Sequence, residues 1–474
     1  MIILPANTLS TGAFSVDNSC RFNDGDSPHM TKTPSAGDVD KWTLSFWVKR
    51  GILGAQMTVF SGLTDSNNYA KIQFESTDQL HFYNVTSAST DAALKTNRLF
   101  RDPSAWYSIV CVWDSANGTA GNRMRLYVNG TEETSFATDT NPSSGLNSHI
   151  NAGVAHYVGQ EGDGSKYFDG YLAEMIFCDG QAYAGTDFGE FDEDSPTIFK
   201  PKKFSGSFGT NGFHLDFEAS DNLGNDANGG TDLAETNLAA IDQCSDSPTN
   251  NFCTWNSASQ YGGAFSEGNT KSTGTGHYNP MGTFGMAKGK WYWECYLSGS
   301  HITCGVAEAG VTPTNAASQS SYPFWLIYDN GGATYKYPNP TSGDNITAVT
   351  SLGNFASGVT VGLAFDADAK KLWASFNGTY YNGGSGTGDP AAGTNELLGS
   401  VEPQFGGTII PACGVGTSSS EKSVNVNFGN PSVSISSGNE DADGYGNFEF
   451  AVPSGFFALC TKNLAEYGYW LIQQ

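Results

Sequence analysis

Lys41-Trp42-Thr43-Leu44-Ser45-Phe46-Trp47-Val48-Lys49 decides the fold class. Side chains alternate across a strand, so Trp42, Leu44, Phe46 and Val48 share one face while Thr43, Ser45 and Trp47 share the other. This reads as a half-buried strand. Around it the same texture repeats. Lys71-Ile72-Gln73-Phe74 and Leu80-His81-Phe82-Tyr83 flank Ser76-Thr77-Asp78 as a hairpin, and strands from Trp106 to Asp114 and Arg123 to Asn129 enclose the turn Asn117-Gly118-Thr119-Ala120-Gly121. From about Phe14 to Phe217 the pattern is that of an all-β sandwich.

Between about Asp221 and Ser257 the large apolar residues thin out in favour of Asn, Asp, Gly, Thr and Ser, as in a linker or extended crossover. Strands then resume at Lys290–Leu297, Ile302–Ala307, Phe324–Tyr328, Val359–Asp366 and Lys371–Phe376, the last two forming a hairpin around Ala367-Asp368-Ala369-Lys370. No fixed-period repeat relates the halves, which disfavours a propeller or solenoid. The expected organisation is all-β, with two antiparallel β-sandwich domains joined by a Gly/Asn/Asp-rich linker. Its parts are an N-terminal arm (1–13), a first sandwich (14–220), a linker or crossover (221–262) and a second sandwich (263–474). A chain of 474 residues is long enough to bury two cores.

With 48 acidic and 23 basic residues the net charge is −25, which repels nucleic acid and anionic membranes. Met1-Ile2-Ile3-Leu4-Pro5-Ala6 lacks a basic segment leading into a long apolar one, so neither a signal peptide nor membrane insertion is expected. Synthesis in a reducing cytosol follows from that reading. The nine cysteines are odd in number, scattered and in several cases set in apolar runs, as buried free thiols are, and no C-x-x-C pair offers zinc or redox chemistry.

Trp106–Asp114 followed by Met124-Arg125-Leu126-Tyr127-Val128-Asn129-Gly130, and later Phe168–Phe177, resembles the paired and closing strands of laminin-G-like, concanavalin-A-like jelly rolls. Gly289-Lys290-Trp291-Tyr292-Trp293-Glu294, the Gly358, Gly362 and Asp366 spacing, Phe376-Asn377-Gly378, Asn427-Phe428-Gly429 and Pro453-Ser454-Gly455-Phe456 are similar to SPRY domains. Taken in order, Pro5–Leu9, Phe46–Arg50, Phe188–Phe191, Ser247–Phe252 and Phe457–Leu464 resemble a family of tailed-phage virion surface proteins. That resemblance implies a place on the virion surface after assembly in the host bacterial cytoplasm, other virion proteins as partners, and a homo-oligomer.

Concanavalin-like glucanases carry Glu, Asp and Glu at alternate strand positions. Glu190-Phe191-Asp192-Glu193-Asp194 comes nearest but ends in Asp before Ser195-Pro196, so it reads as a solvated acidic turn. With no H-E-x-x-H and no G-x-S-x-G elbow, no catalytic residues are expected and no cofactor is required. Calcium, which laminin-G-like jelly rolls carry at the rim, would find oxygens at Asp24, Asp26 and Asp163 in glycine turns. Sugar contacts are expected from the loops of Tyr335, Tyr337, Tyr380, Tyr381 and Asn382, whose flat rings can cover pyranose C–H faces. The resulting reading is a non-enzymatic phage virion structural protein, a tail fibre or adhesin binding host-surface glycans. Its alternatives are a head-decoration protein packing on other virion proteins and a polysaccharide depolymerase.

Overall fold

In a computed structural model, residues 14–259, 262–275, 278–310, 324–329, 334–337, 347–348, 358–382, 386–404, 406–415 and 420–468 are described. They divide into two compact units that meet in sequence at Asn250 and Asn251.

The first unit is a sandwich of two antiparallel sheets. One runs Thr131–Glu132, Met124–Val128, Tyr107–Asp114, Lys41–Arg50, Gly170–Asp179, Ser19–Phe22 and Gln243–Cys244, with Phe213–Leu215 also paired to Gly170–Asp179. The other runs Phe136–Thr140, Ser89–Leu99, Gln79–Thr86, Asn68–Phe74, Met57–Asp65, Ala155–Val158, His29–Lys32 and Ala234–Thr236. Trp42, Leu44, Phe46 and Val48 meet Phe60, Ile72 and Phe82 in the core between them.

Lys41–Arg50 is buried on both faces beyond its first residue, not half-buried as expected. It lies centrally, between Tyr107–Asp114 and Gly170–Asp179, and its outer face is roofed. Trp47 packs with Val16 and Ala173 and stacks on Phe199 at 6.1 Å between ring centroids, while Thr43 Oγ1 donates to the Gln181 carbonyl.

The stretch expected as a linker or crossover is packed onto the first sandwich up to Asp246. Leu223 and Leu233 enter the first core, Ala234–Thr236 and Gln243–Cys244 pair into its two sheets, and Asp246 forms a buried ion pair with Lys49 at 2.7 Å. Residues 251–259 instead supply Cys253 and Trp255 to the second core. A few apolar anchors hold this polar stretch in place, and they are too sparse to give a periodic signal.

The second unit is another sandwich. One sheet runs Ala264–Ser266, Lys271–Gly274, Lys422–Asn427, Lys290–Ser298, Thr360–Asp366, Lys371–Phe376 and Thr379–Tyr381, with Phe457–Ala458 added in parallel to Lys290–Ser298. The other runs Thr347–Ala348, Thr334–Tyr337, Phe324–Asp329, Ile302–Glu308 and Ile409–Val415. The hairpin expected around 367–370 is present. Asn377 and Gly378, at φ 46° and 81°, make the two-residue turn into Thr379–Tyr381, the conformation that Asn-Gly tolerates best. Among the described residues no helix is long and apolar enough to cross a membrane.

Candidate functional site

A cleft of about 460 Å³ opens on the outer face of the first sandwich, over the Gly170–Asp179 and Phe213–Leu215 pair. Its floor follows from strand alternation. Phe213, Leu215 and Phe217 enter the core, which leaves His214, Asp216 and Glu218 on the opposite side, facing the cleft. Across from them Gly170–Asp179 breaks register between Ala173 and Ile176, and Glu174 there takes a left-handed backbone, φ 46°. A bulge bends a strand and re-aims its side chain. Glu174 Oε2 here lies 3.1 Å from His214 Nε2.

Burial works against the charged imidazole of His214, but hydrogen bonding to Glu174 and the charges of Glu174, Asp216 and Asp226 outweigh it, so its pKa is raised. Asp226 supports the site from behind, its Oδ1 accepting the N–H groups of His214 and Asn228. The wall is aromatic. Phe204 stacks on Phe188 at 4.8 Å, Phe208 meets Phe204 edge-on at 5.1 Å, and Phe208 lies over His214 at 6.3 Å between ring centroids. Flat apolar faces beside convergent carboxylates, an imidazole, Asn228 and Lys203 match the chemistry of a sugar, apolar on its C–H faces and polar at its hydroxyls.

None of the residues singled out for binding lines this cleft. Tyr335 and Tyr337 lie on the strand Thr334–Tyr337, not in a loop, and their side chains fall outside the described residues. Tyr380 and Tyr381 also belong to a strand. Tyr380 packs against the cluster of Tyr292, Trp373 and Phe456, and Tyr381 lies on Phe376 at 5.7 Å, so both rings are half-buried by pairing with Lys371–Phe376. Asn382 follows them and its Oδ1 accepts the N–H of Gly386.

Asp24 and Asp26 share one turn, where Asn23 Nδ2 donates to Asp26 Oδ2 at 2.6 Å. Asp163 accepts from Ser165 Oγ at 2.7 Å. None of the three joins a group of three ligand side chains within 4.8 Å; among the described residues the one such group is Cys295, Cys304 and Cys413. Glu190 and Asp192 sit on a small hairpin, both near Lys200 Nζ at 3.6 and 3.4 Å, and Asp192 Oδ1 accepts the N–H groups of Asp194 and Ser195. Those backbone bonds, Ser195 first, hold the Asp192 carboxyl below its usual range. All nine cysteines are free and buried.

The sequence does carry one signal for the cleft, the alternation His214-Leu215-Asp216-Phe217-Glu218. Its meaning depends on Glu174, forty residues earlier, and on a bulge that no local pattern announces.

Residues 23–181 match the family described as the concanavalin A-like lectin/glucanases superfamily, and this part of the chain is a concanavalin A-like, laminin-G-like jelly roll. Glu174 falls within the match and His214 beyond it. No curated protein matches the chain. Among solved structures, a heptameric SAP-like pentraxin from Limulus polyphemus is 21% identical over 36% of this chain and 81% of its own, with a TM-score of 0.29. The SPRY domain of human HERC1 is 16% identical over 36% of this chain and 96% of its own, with a TM-score of 0.28. Domains LG4-5 of the mouse laminin α1 chain are 10% identical over 97% of this chain and 90% of their own, with a TM-score of 0.30.

Proposed function

We propose that this chain is a non-enzymatic carbohydrate-binding protein of a phage particle surface, a fibre or adhesin that holds a host-surface glycan in the cleft of its first sandwich. One observation carries the reading: Phe204 and Phe208 stand as an aromatic wall beside the Glu174–His214 pair, Asp216 and Asn228 in a single concavity. A pyranose ring stacks on the Phe208 face. Its hydroxyls donate to Glu174 and Asp216 and accept from His214, so that both sides of the ring are matched. The match of residues 23–181 to a superfamily of lectins and glucanases supports a sugar ligand.

The absence of chemistry is part of the proposal. Glu190 and Asp192, the carboxylates nearest to a glucanase pattern, are engaged by Lys200 and by the turn's own N–H groups. The virion placement rests on the ordered resemblance of segments along the chain to tailed-phage surface proteins.

The test is calorimetric titration of the full chain with oligosaccharides released from host envelope, comparing wild type with Phe208→Ala and Asp216→Asn. Loss of a stacked aromatic face costs about 1 kcal/mol or more, so Phe208→Ala is expected to weaken binding at least fivefold. The oligosaccharide should be recovered uncleaved. Unchanged affinity in both variants would remove the cleft from the account, and shortened oligosaccharide would remove the non-enzymatic reading.

A further inference from the structure

The second sandwich gathers three cysteines that the sequence keeps apart. Cys295 lies on Lys290–Ser298 of one sheet, while Cys304 and Cys413 face each other in register on Ile302–Glu308 and Ile409–Val415 of the other. All three are buried in the core, in one cluster with Trp293, Val306, Ile327 and Val424. Their sulfurs lie within 4.8 Å of one another, with Cys295 and Cys413 at 3.7 Å, and none is in a disulfide.

Those separations leave the three sulfurs able to share one metal ion. With a metal–sulfur bond of about 2.3 Å, three sulfurs in a trigonal plane around one ion stand about 4 Å apart. The strands already hold them there. Among the described residues no carboxylate or imidazole joins the cluster, so the fourth ligand that a closed zinc site requires is not supplied. An all-sulfur set selects soft ions, Cu(I) foremost. Charge points the same way. An apolar core penalises net charge heavily, and a monovalent ion is neutralised by one thiolate where a divalent ion needs two.

We propose that Cys295, Cys304 and Cys413 form a trigonal all-sulfur site for a soft monovalent ion of the Cu(I) class. One thiol loses its proton to solvent as its sulfur–copper bond forms, the other two sulfurs donate lone pairs, and copper stays in the +1 state throughout. Because the sulfurs are enclosed, the ion enters while the sandwich folds or opens, and its binding energy adds to folding. The site does not depend on the glycan cleft, which lies in the other unit.

The experiment refolds the full chain anaerobically with a reductant and Cu(I) supplied as its acetonitrile complex, then dialyses it against a Cu(I) chelator. Copper per chain is measured, and X-ray absorption counts the copper's neighbours. One copper per chain with three sulfur neighbours at about 2.3 Å is expected. It should be lost in Cys304→Ser and Cys413→Ser and kept in Cys111→Ser, a buried thiol of the first sandwich. No copper held by folded wild type, oxygen or nitrogen in its shell, or copper kept by folded Cys304→Ser would each overturn the site. Should the serine variants fail to fold, the neighbour count on wild type decides alone.

Discussion

Two histidines of the first sandwich respond to pH in opposite directions, each for a reason visible in its contacts. His156 is buried, its Nε2 accepts the N–H of Asn151 at 2.9 Å, and its Nδ1 lies 2.8 Å from the Val154 carbonyl, so the ring is held neutral. Burial, only partly opposed by the Val154 carbonyl, brings its pKa down from 6.5 to about 4. The folded value lies below the unfolded one, so this contribution to stability is complete above pH 6.5 and is lost as pH falls toward 4. By linkage the loss reaches roughly 3 kcal/mol. Chemical denaturation across that window should show a decline in wild type that is flatter in His156→Gln; equal slopes would refute the assignment.

His214 has the reverse sign, its pKa being raised above 6.5 by Glu174, Asp216 and Asp226 against the opposing effect of burial. Its contribution is therefore full below pH 6.5 and disappears as pH rises through the folded value. Glu174→Gln should destabilise the protein most at acidic pH, with the difference from wild type shrinking as pH rises through the folded value. A difference that does not change with pH would mean that the Glu174–His214 contact is not an ion pair.

At the scale of elements, the second sandwich has a polar counterpart to its aromatic core. Glu294, on the buried strand Lys290–Ser298, accepts from the hydroxyls of Tyr292 and Tyr296 at 2.9 and 2.5 Å and from the N–H groups of Glu449 and Phe450 at 3.1 and 2.8 Å. One side chain thus fastens the 449–450 segment to the central strand. Glu294→Ala strands several buried donors and is expected to cost about 3–5 kcal/mol, read by denaturant unfolding. A loss under about 1 kcal/mol would mean that water or a rearranged 449–450 segment satisfies them.

Strands such as Lys71–Phe74 and Lys371–Phe376 were legible because their signal, alternation, is local. The cleft was not legible. It needs a bulge at Glu174, a strand at His214 and a loop at Asp226 that the polar composition of residues 221–257 disguised as linker. The cysteine group was hidden for a similar reason, since Cys295, Cys304 and Cys413 meet across two sheets instead of at C-x-x-C spacing.

At the scale of the whole molecule, two sandwich cores account for the composition. The fully buried Trp42 and Trp113 belong to the first and Trp291 and Trp293 to the second, so that few of the described aromatic residues are left free for recognition. Tyr380 and Tyr381 are spent on packing, and the aromatic wall that stays open to a ligand comes from Phe204 and Phe208. The central claim is accordingly about place: recognition belongs to one cleft on the first sandwich. A crystal structure of the full chain with an oligosaccharide that it binds in solution tests this most directly. The account predicts a sugar ring stacked on Phe208 with hydroxyls within hydrogen-bond distance of Glu174 and Asp216; a sugar ordered on the second sandwich, with the cleft empty, would contradict it.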